Sequence, residues 1–215
     1  MKALVIGSTG ATGTELTKQL IEHEEFTEVR VFVRNVPKIN HPKLNVHKVD
    51  FNEISSWSDQ LTGDVLFLAM GTTLKTAGSK EAQYKVDVTY QYEVAKAAAK
   101  NNVSKLILVS SVGASSNSIF FYPKIKGKLE EMVKKLNFKS ICILRPPVID
   151  RGESMMRPTE RKTIAFIKRL NKFGLLVSQK PITSFFLARK MVELVNKETI
   201  DKTIILEPKD IFNLK

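Results

Sequence analysis

The stretch Ala3-Leu4-Val5-Ile6-Gly7-Ser8-Thr9-Gly10-Ala11-Thr12-Gly13-Thr14-Glu15-Leu16 changes its hydrophobic period halfway along. Four consecutive apolar residues, 3–6, read as a short strand buried on both faces. Leu16, Leu20 and Ile21 then recur at helical spacing, so an amphipathic helix follows. Between the two lie Gly7, Gly10 and Gly13. In a strand–turn–helix of this kind the first glycine permits a tight turn, the second lets backbone approach a diphosphate, and the third lets helix and strand pack closely. The helix start presents its N–H groups and the positive end of its macrodipole to the phosphates. Gly7, Thr9, Gly10, Ala11, Thr12 and Gly13 are therefore the candidate phosphate-binding residues. The spacing is G-x-x-G-x-x-G, and no Gly-Lys-Ser/Thr follows, which disfavours a nucleoside triphosphate loop.

Outward from this turn the chain keeps alternating. Apolar runs at 29–33, 65–69, 106–109 and 141–144, the alternating run 44–49, and Thr203–Leu206, read as further strands. Val86, Tyr90, Val94, Ala97 and Ala98 make one helical stripe, and Ile125, Leu129, Met132, Val133 and Leu136 another. Residues 159–173 read as a helix, and Thr183 or Ser184 as the cap of one running to Val195. Strand–helix alternation with continuously apolar strands predicts an α/β fold: a doubly wound, mostly parallel Rossmann sheet. The whole chain, 1–215, is expected to be one domain, with about 146–215 adding a small lobe on the substrate side of the sheet.

With 43% hydrophobic and 26% charged residues the composition is that of a globular protein. No apolar run reaches the roughly 20 residues of a membrane-spanning helix. Met1-Lys2 and a very short apolar stretch do not read as a secretory signal, so the expected compartment is the cytoplasm. Cys142, the single cysteine, lies in an apolar run and is expected in the core, and no metal site is expected. The net charge is +12 and the pI about 9.7, a balance that raises nucleic-acid or membrane contact. The lysines are spread along the chain, however. The densest group (Lys124, Lys126, Lys128, Lys134 and Lys135, mixed with Glu130 and Glu131) reads as a solvated helix face. The expected partner is a small-molecule substrate, with no specific nucleic acid and no membrane. A protein partner or homodimer stays open.

The strand ends select the ligand. An acidic residue after the second strand would bind the ribose hydroxyl of NAD. This chain has Val33-Arg34-Asn35 instead, and a guanidinium suits a 2′-phosphate, so NADP(H) is expected over NAD(H). Asp50 and Phe51, after the third strand, are candidates to border the adenine. Ala69, Met70, Gly71 and Thr72, after the fourth, are small or flexible residues where the chain must pass close to the cofactor. The fifth strand ends in Ser110-Ser111, and Tyr122-Pro123-Lys124-Ile125-Lys126 opens a helix. A Tyr and a Lys four apart share one helix face, and Pro123 suits the first turn. An ammonium nearby stabilises phenolate, so the tyrosine can pass its proton to a carbonyl oxygen while hydride arrives at carbon. A serine hydroxyl orients that oxygen. Tyr92 and Lys96 repeat the spacing mid-helix with no serine-ended strand just before them, and are read as accidental.

Gly7–Gly13, the stretch 71–79 (Gly-Thr-Thr-Leu-Lys-Thr-Ala-Gly-Ser), 110–126 followed by Gly127, and Arg145-Pro146-Pro147-Val148 together resemble the atypical short-chain dehydrogenase/reductases, and within them the branch of the Tat-interacting oxidoreductase-like protein and its bacterial relatives. The resemblance implies a Rossmann fold, an NADP(H) site, and the Ser, Tyr and Lys roles on Ser110 or Ser111, Tyr122 and Lys126. It also implies that Arg145, Pro146 and Pro147 line the nicotinamide. The expected function is NADPH-dependent reduction of a small carbonyl compound. The alternatives are a non-catalytic NADPH-binding regulator or redox sensor, and a nucleotide-sugar epimerase or dehydratase, against which the short C-terminal part counts.

Overall fold

The computed structural model describes residues 1–152, 180–197 and 202–214. The helix expected at 159–173 lies outside them.

Seven parallel strands form one sheet. They are β1 (Lys2–Ile6), β2 (Glu28–Val33), β3 (Leu44–Lys48), β4 (Val65–Leu68), β5 (Lys105–Val109), β6 (Ser140–Leu144) and, after two further short strands, β9 (Thr203–Leu206). Their order is β3-β2-β1-β4-β5-β6-β9. The chain winds outward from β1 in one direction and from β4 in the other, so the order reverses between β1 and β4, where doubly wound sheets bind their ligands. The side-chain period of two divides the inner strands between two cores. Ala3 and Val5 pack with Leu16 and Leu20 of α1 (Ala11–Glu22) and with Leu187 and Met191 of α6 (Ser184–Glu193). Leu4 and Ile6 pack on the other face with Val94 and Ala98 of α4 (Tyr90–Lys100) and Leu129 and Val133 of α5 (Phe121–Lys134). Burial on both faces explains the continuous apolar runs of β1, β4, β5 and β6, while the edge strand β3 alternates and has no fully buried residue.

The segment before α4 is continuous with it. After α2 (Leu74–Ala77), α3 (Lys80–Tyr84) passes through a π-helical turn, Lys85–Thr89, into α4. β9 pairs with β6 from Ile141↔Thr203 to Leu144↔Leu206 and completes the main sheet. Helix α6 packs on α1, begins at the expected cap, where Thr183 Oγ1 accepts the Phe186 N–H at 3.1 Å, and ends at Glu193, two residues short of the expected Val195. Only the two-residue ladder of β7 (Ile149–Asp150) and β8 (Ile182–Thr183) stands apart from the sheet among the described residues. A last helix, α7 (Pro208–Asn213), had no counterpart in the expectations and is fixed by a capping box of Glu207 and Asp210. Cys142 is buried at 3% exposure, and burial pushes its thiol up, which suits a core residue and not a nucleophile.

Candidate active site

Each glycine of the β1–α1 turn is required or permitted for a different reason. Gly7 has φ +91°, and a Cβ there would lie 2.6 Å from Ala69 C and Met70 N. The ends of β1 and β4 are thus in direct backbone contact, where the sequence predicts close passage. A Cβ at Gly13 would lie 2.0 Å from the Gly7 carbonyl oxygen, so helix and strand touch there. At Gly10 the nearest atom is Gly7 O at 3.4 Å; the protein itself leaves that position open. Helix α1 has no side-chain cap at Gly10 and no acidic residue in its first turn. Its leading N–H groups and positive dipole end therefore meet no competing carboxylate from their own helix. Ser8 Oγ, in a residue 2% exposed, has no hydrogen-bond partner among the described residues. An open backbone approach, a helix start bare of acid and a buried unpaired hydroxyl fit a diphosphate.

Along the same sheet edge, Arg34 and Asn35 follow β2 and are exposed. Asp50 is exposed and folds back, its Oδ1 accepting the Asn52 backbone N–H at 2.8 Å. Phe51 differs from expectation: its ring is 4% exposed and packs against Trp57 and Tyr90. Its ring belongs to the core.

At the reaction end, Ser110, Ser111, Tyr122, Pro146, Pro147 and Val148 line one cavity of about 230 Å³ beyond the ends of β5 and β6. Gly127 brings α5 onto the serine loop, since a Cβ there would meet Ser115 C at 2.2 Å. The two serines differ. Ser110 is 5% exposed and donates its hydroxyl to Glu130 Oε1 at 2.5 Å. Ser111 is half-buried, and its hydroxyl has only a 3.4 Å contact with the Val112 carbonyl. Tyr122 is 40% exposed, and Lys126 Nζ lies 5.9 Å from its ring centroid. Tyr92 and Lys96 lie on α4 and do not line this cavity; Lys96 pairs with Glu93 instead.

Three charged residues depart from the sequence reading. Lys126 and Glu130 are not on a solvated face: they are 3% and 1% exposed. Spaced four apart, they share the inward side of α5. Arg145, expected beside the nicotinamide, is tied up elsewhere: its Nη2 and Nε meet Glu130 at 2.6 and 3.0 Å and its Nη1 meets Glu207 at 2.7 Å. It joins the end of β6 to α5 and to the cap of α7, while Pro146 and Pro147 do line the cavity. Sequence reading also missed Asp87. This fully buried residue of the π turn places Oδ1 3.1 Å from Lys126 Nζ, and its Oδ2 accepts the Thr72 N–H at 3.0 Å. The Oδ1 contact is poorly aligned for a hydrogen bond, so it is an ion pair held by proximity. Burial alone would push the Lys126 ammonium down; the charges of Tyr122, Asp87 and Glu130 outweigh it and hold Lys126 above the ordinary lysine range. The clue available in the sequence was an acidic residue one position from the apolar stripe of a long helix.

Residues 7–164 match the NAD(P)H-binding family. The mitochondrial protein FMP52 of Meyerozyma guilliermondii is 39% identical over 153 residues, which cover 69% of this chain and 65% of that protein. The mitochondrial FMP52 of Candida albicans is 31% identical over 100% of this chain and 98% of its own length. Among solved structures, MoeE5 in complex with UDP-glucose and NAD has 15% identity and a TM-score of 0.70, covering 96% of this chain and 75% of its own. The UDP-glucose 4-epimerase of Thermotoga maritima has 14% identity and a TM-score of 0.68, covering 100% and 81%. At such identities the likeness is one of fold. The relatives correct the cytoplasmic expectation: they are named mitochondrial proteins. That expectation rested on not finding a secretory signal, a test that leaves every other compartment open.

Proposed function

Starting from a chain that belongs to the NAD(P)H-binding family, we propose that it is an NADPH-dependent reductase of a small carbonyl compound. We place it near the Tat-interacting oxidoreductase-like branch and, like its FMP52 relatives, in mitochondria. The observation that carries the reading is the shared cavity: Ser111 and Tyr122 face one space, with Lys126 buried at the tyrosine ring.

The bound cofactor supplies hydride. The residues of the chain handle binding and the proton. The Gly7–Gly13 turn takes the diphosphate on the start of α1, and Arg34 takes the 2′-phosphate. Ser111, whose hydroxyl is the less committed of the two, donates to the substrate oxygen and orients it. The Ser110 hydroxyl already donates its hydrogen bond to Glu130. Tyr122 passes its hydroxyl proton to that oxygen as charge develops there, and the Lys126 ammonium offsets the phenolate left behind. Val148, Pro146 and Pro147 give the cavity one apolar wall and Arg151 adds a cation to its lining, which suits a small carbonyl compound.

Purified protein is to be assayed for NADPH oxidation against carbonyl, quinone and flavin panels. Tyr122→Phe keeps the ring but removes the proton, so turnover should fall by a factor on the order of 10²–10⁴ while NADPH affinity, measured by calorimetry, holds. Tyr92→Phe should change neither. NADPH oxidation that survives Tyr122→Phe rejects proton donation by that residue. Tight NADPH binding with no oxidation on any panel favours the regulatory alternative.

A further inference from the structure

We infer that Asp87 is a positioning residue for this reduction: its carboxylate, held between the end of β4 and the π turn, fixes Lys126 Nζ in place and keeps it cationic beside Tyr122. The inference rests on the reading of Tyr122 and Lys126 as the proton-transfer pair.

The carboxylate has little freedom. One oxygen is fixed by the Thr72 N–H at 3.0 Å. The other lies 3.1 Å from the ammonium, an ion pair held by charge and proximity. The backbone that carries it is widened by the π turn, and Gln91 Nε2 donates to the Asp87 carbonyl at 2.8 Å. Gly71 passes directly beside the pair: a Cβ there would come within 3.3 Å of Asp87 Oδ1 and 3.9 Å of Lys126 Nζ. Three separate segments thus meet at one ion pair. Aspartate and lysine are 0% and 3% exposed. Burying two charges is costly and adds stability only when geometry and secondary partners are good, so a pair with no evident stabilising surplus calls for another reason. π turns inside α-helices frequently occur at functional sites.

The reason lies in the neighbouring phenol. Tyr122 can be left as phenolate only if a full positive charge stays close by. A lysine this deeply buried would shed its proton without a carboxylate to hold it. The charged and titratable groups acting on Lys126 are Tyr122 and Glu130 from its own helix and Asp87 from the facing π turn. Glu130 is shared with Ser110 and Arg145, which leaves Asp87 as the carboxylate devoted to the lysine.

The test reads Lys126 directly. In ligand-free protein with 13C-labelled lysine, the Lys126 Cε resonance, assigned with Lys126→Arg, is followed against pH in wild type, Asp87→Asn and Asp87→Glu. Wild type and Asp87→Glu should titrate above the ordinary lysine range near 10.4. Asp87→Asn should titrate lower by roughly one unit or more. In parallel the alkaline limb of kcat should move down with it in Asp87→Asn, and kcat at its optimum should fall on the order of 10–100-fold, the common cost of losing a partner of a functional group. A wild-type Lys126 that titrates at or below the ordinary range overturns the inference even if Asp87→Asn does not fold. So does a resonance unmoved by Asp87→Asn, or a kcat that falls equally at every pH, which is the mark of a merely structural residue. Failure of the underlying reading shows separately, as turnover indifferent to Tyr122→Phe.

Discussion

A methyl group at Gly13 would lie 2.0 Å from the Gly7 carbonyl oxygen, and one at Gly10 would meet nothing nearer than 3.4 Å. The same substitution should therefore do opposite things three residues apart. Gly13→Ala should destabilise the fold by about 1–3 kcal/mol or more, since backbone has to move, seen as a lower urea midpoint. Gly10 has φ −81°, which alanine adopts freely, so Gly10→Ala should leave that midpoint alone and weaken NADPH in calorimetry. Unchanged affinity in Gly10→Ala would move the diphosphate elsewhere. Arg34 carries the choice of cofactor. A charge-assisted contact with a 2′-phosphate should favour NADPH over NADH by about 1.5–3 kcal/mol, and Arg34→Ala should erase that preference with NADH affinity intact. Equal affinities in the native protein would sink the assignment. At this scale the sequence was legible where residue type dictates backbone, as at Gly7 and Gly13. It misled where a type usually found in water is buried, as at Lys126, Glu130 and Asp87, because nothing in the local pattern shows the partner that makes such burial tolerable.

Among the elements, α5 bears the most. It carries Tyr122, Lys126 and Glu130, and Glu130 locks it to β5 through Ser110 and to β6 and α7 through Arg145 and Glu207. Removing one partner of a buried pair strands the other. Glu130→Ala should cost about 3 kcal/mol, the low end of the range for such losses, because Arg145 is 19% exposed and keeps Glu207. Glu207, 46% exposed, is a control whose removal should cost no more than a surface pair does. Denaturant unfolding of the two variants checks this; equal midpoints would mean the clamp contributes nothing. The strands of the sheet were readable to within a residue or so at each end, and Thr203–Leu206 without error, because unbroken apolar runs have few other uses in a chain this size. The π turn was not readable. Val86, Tyr90 and Val94 keep a spacing of four through it, so the hydrophobic stripe continues while the winding changes.

In the molecule as a whole, the ends of β1, β4, β5 and β6 lie along one edge, and every candidate residue sits on or just beyond it. The phosphate turn is at the point where strand order reverses and the serine–tyrosine cavity two strands away, the layout that α/β sheets use for an extended ligand. Alternation in the sequence was enough to foresee that arrangement. It was not enough to say which strand Thr203–Leu206 would pair with, which is β6 at the far edge of the sheet, since pairing partners distant in sequence leave no periodic trace. The π turn also makes chain length a chemical variable. It holds more residues per turn than the α-helix on either side. Deleting one residue between 85 and 89 would let ordinary winding close with both flanks nearly in place, so the rearrangement is confined to the turn itself. Val94 and Ala98 anchor the later flank in the core and the Gln83 side chain ties the earlier one to the Thr72 carbonyl, so the change would fall on Asp87. In related chains, a gap of a single position in this helix should go together with a different counter-ion for the lysine, and alignment length alone would separate the two groups.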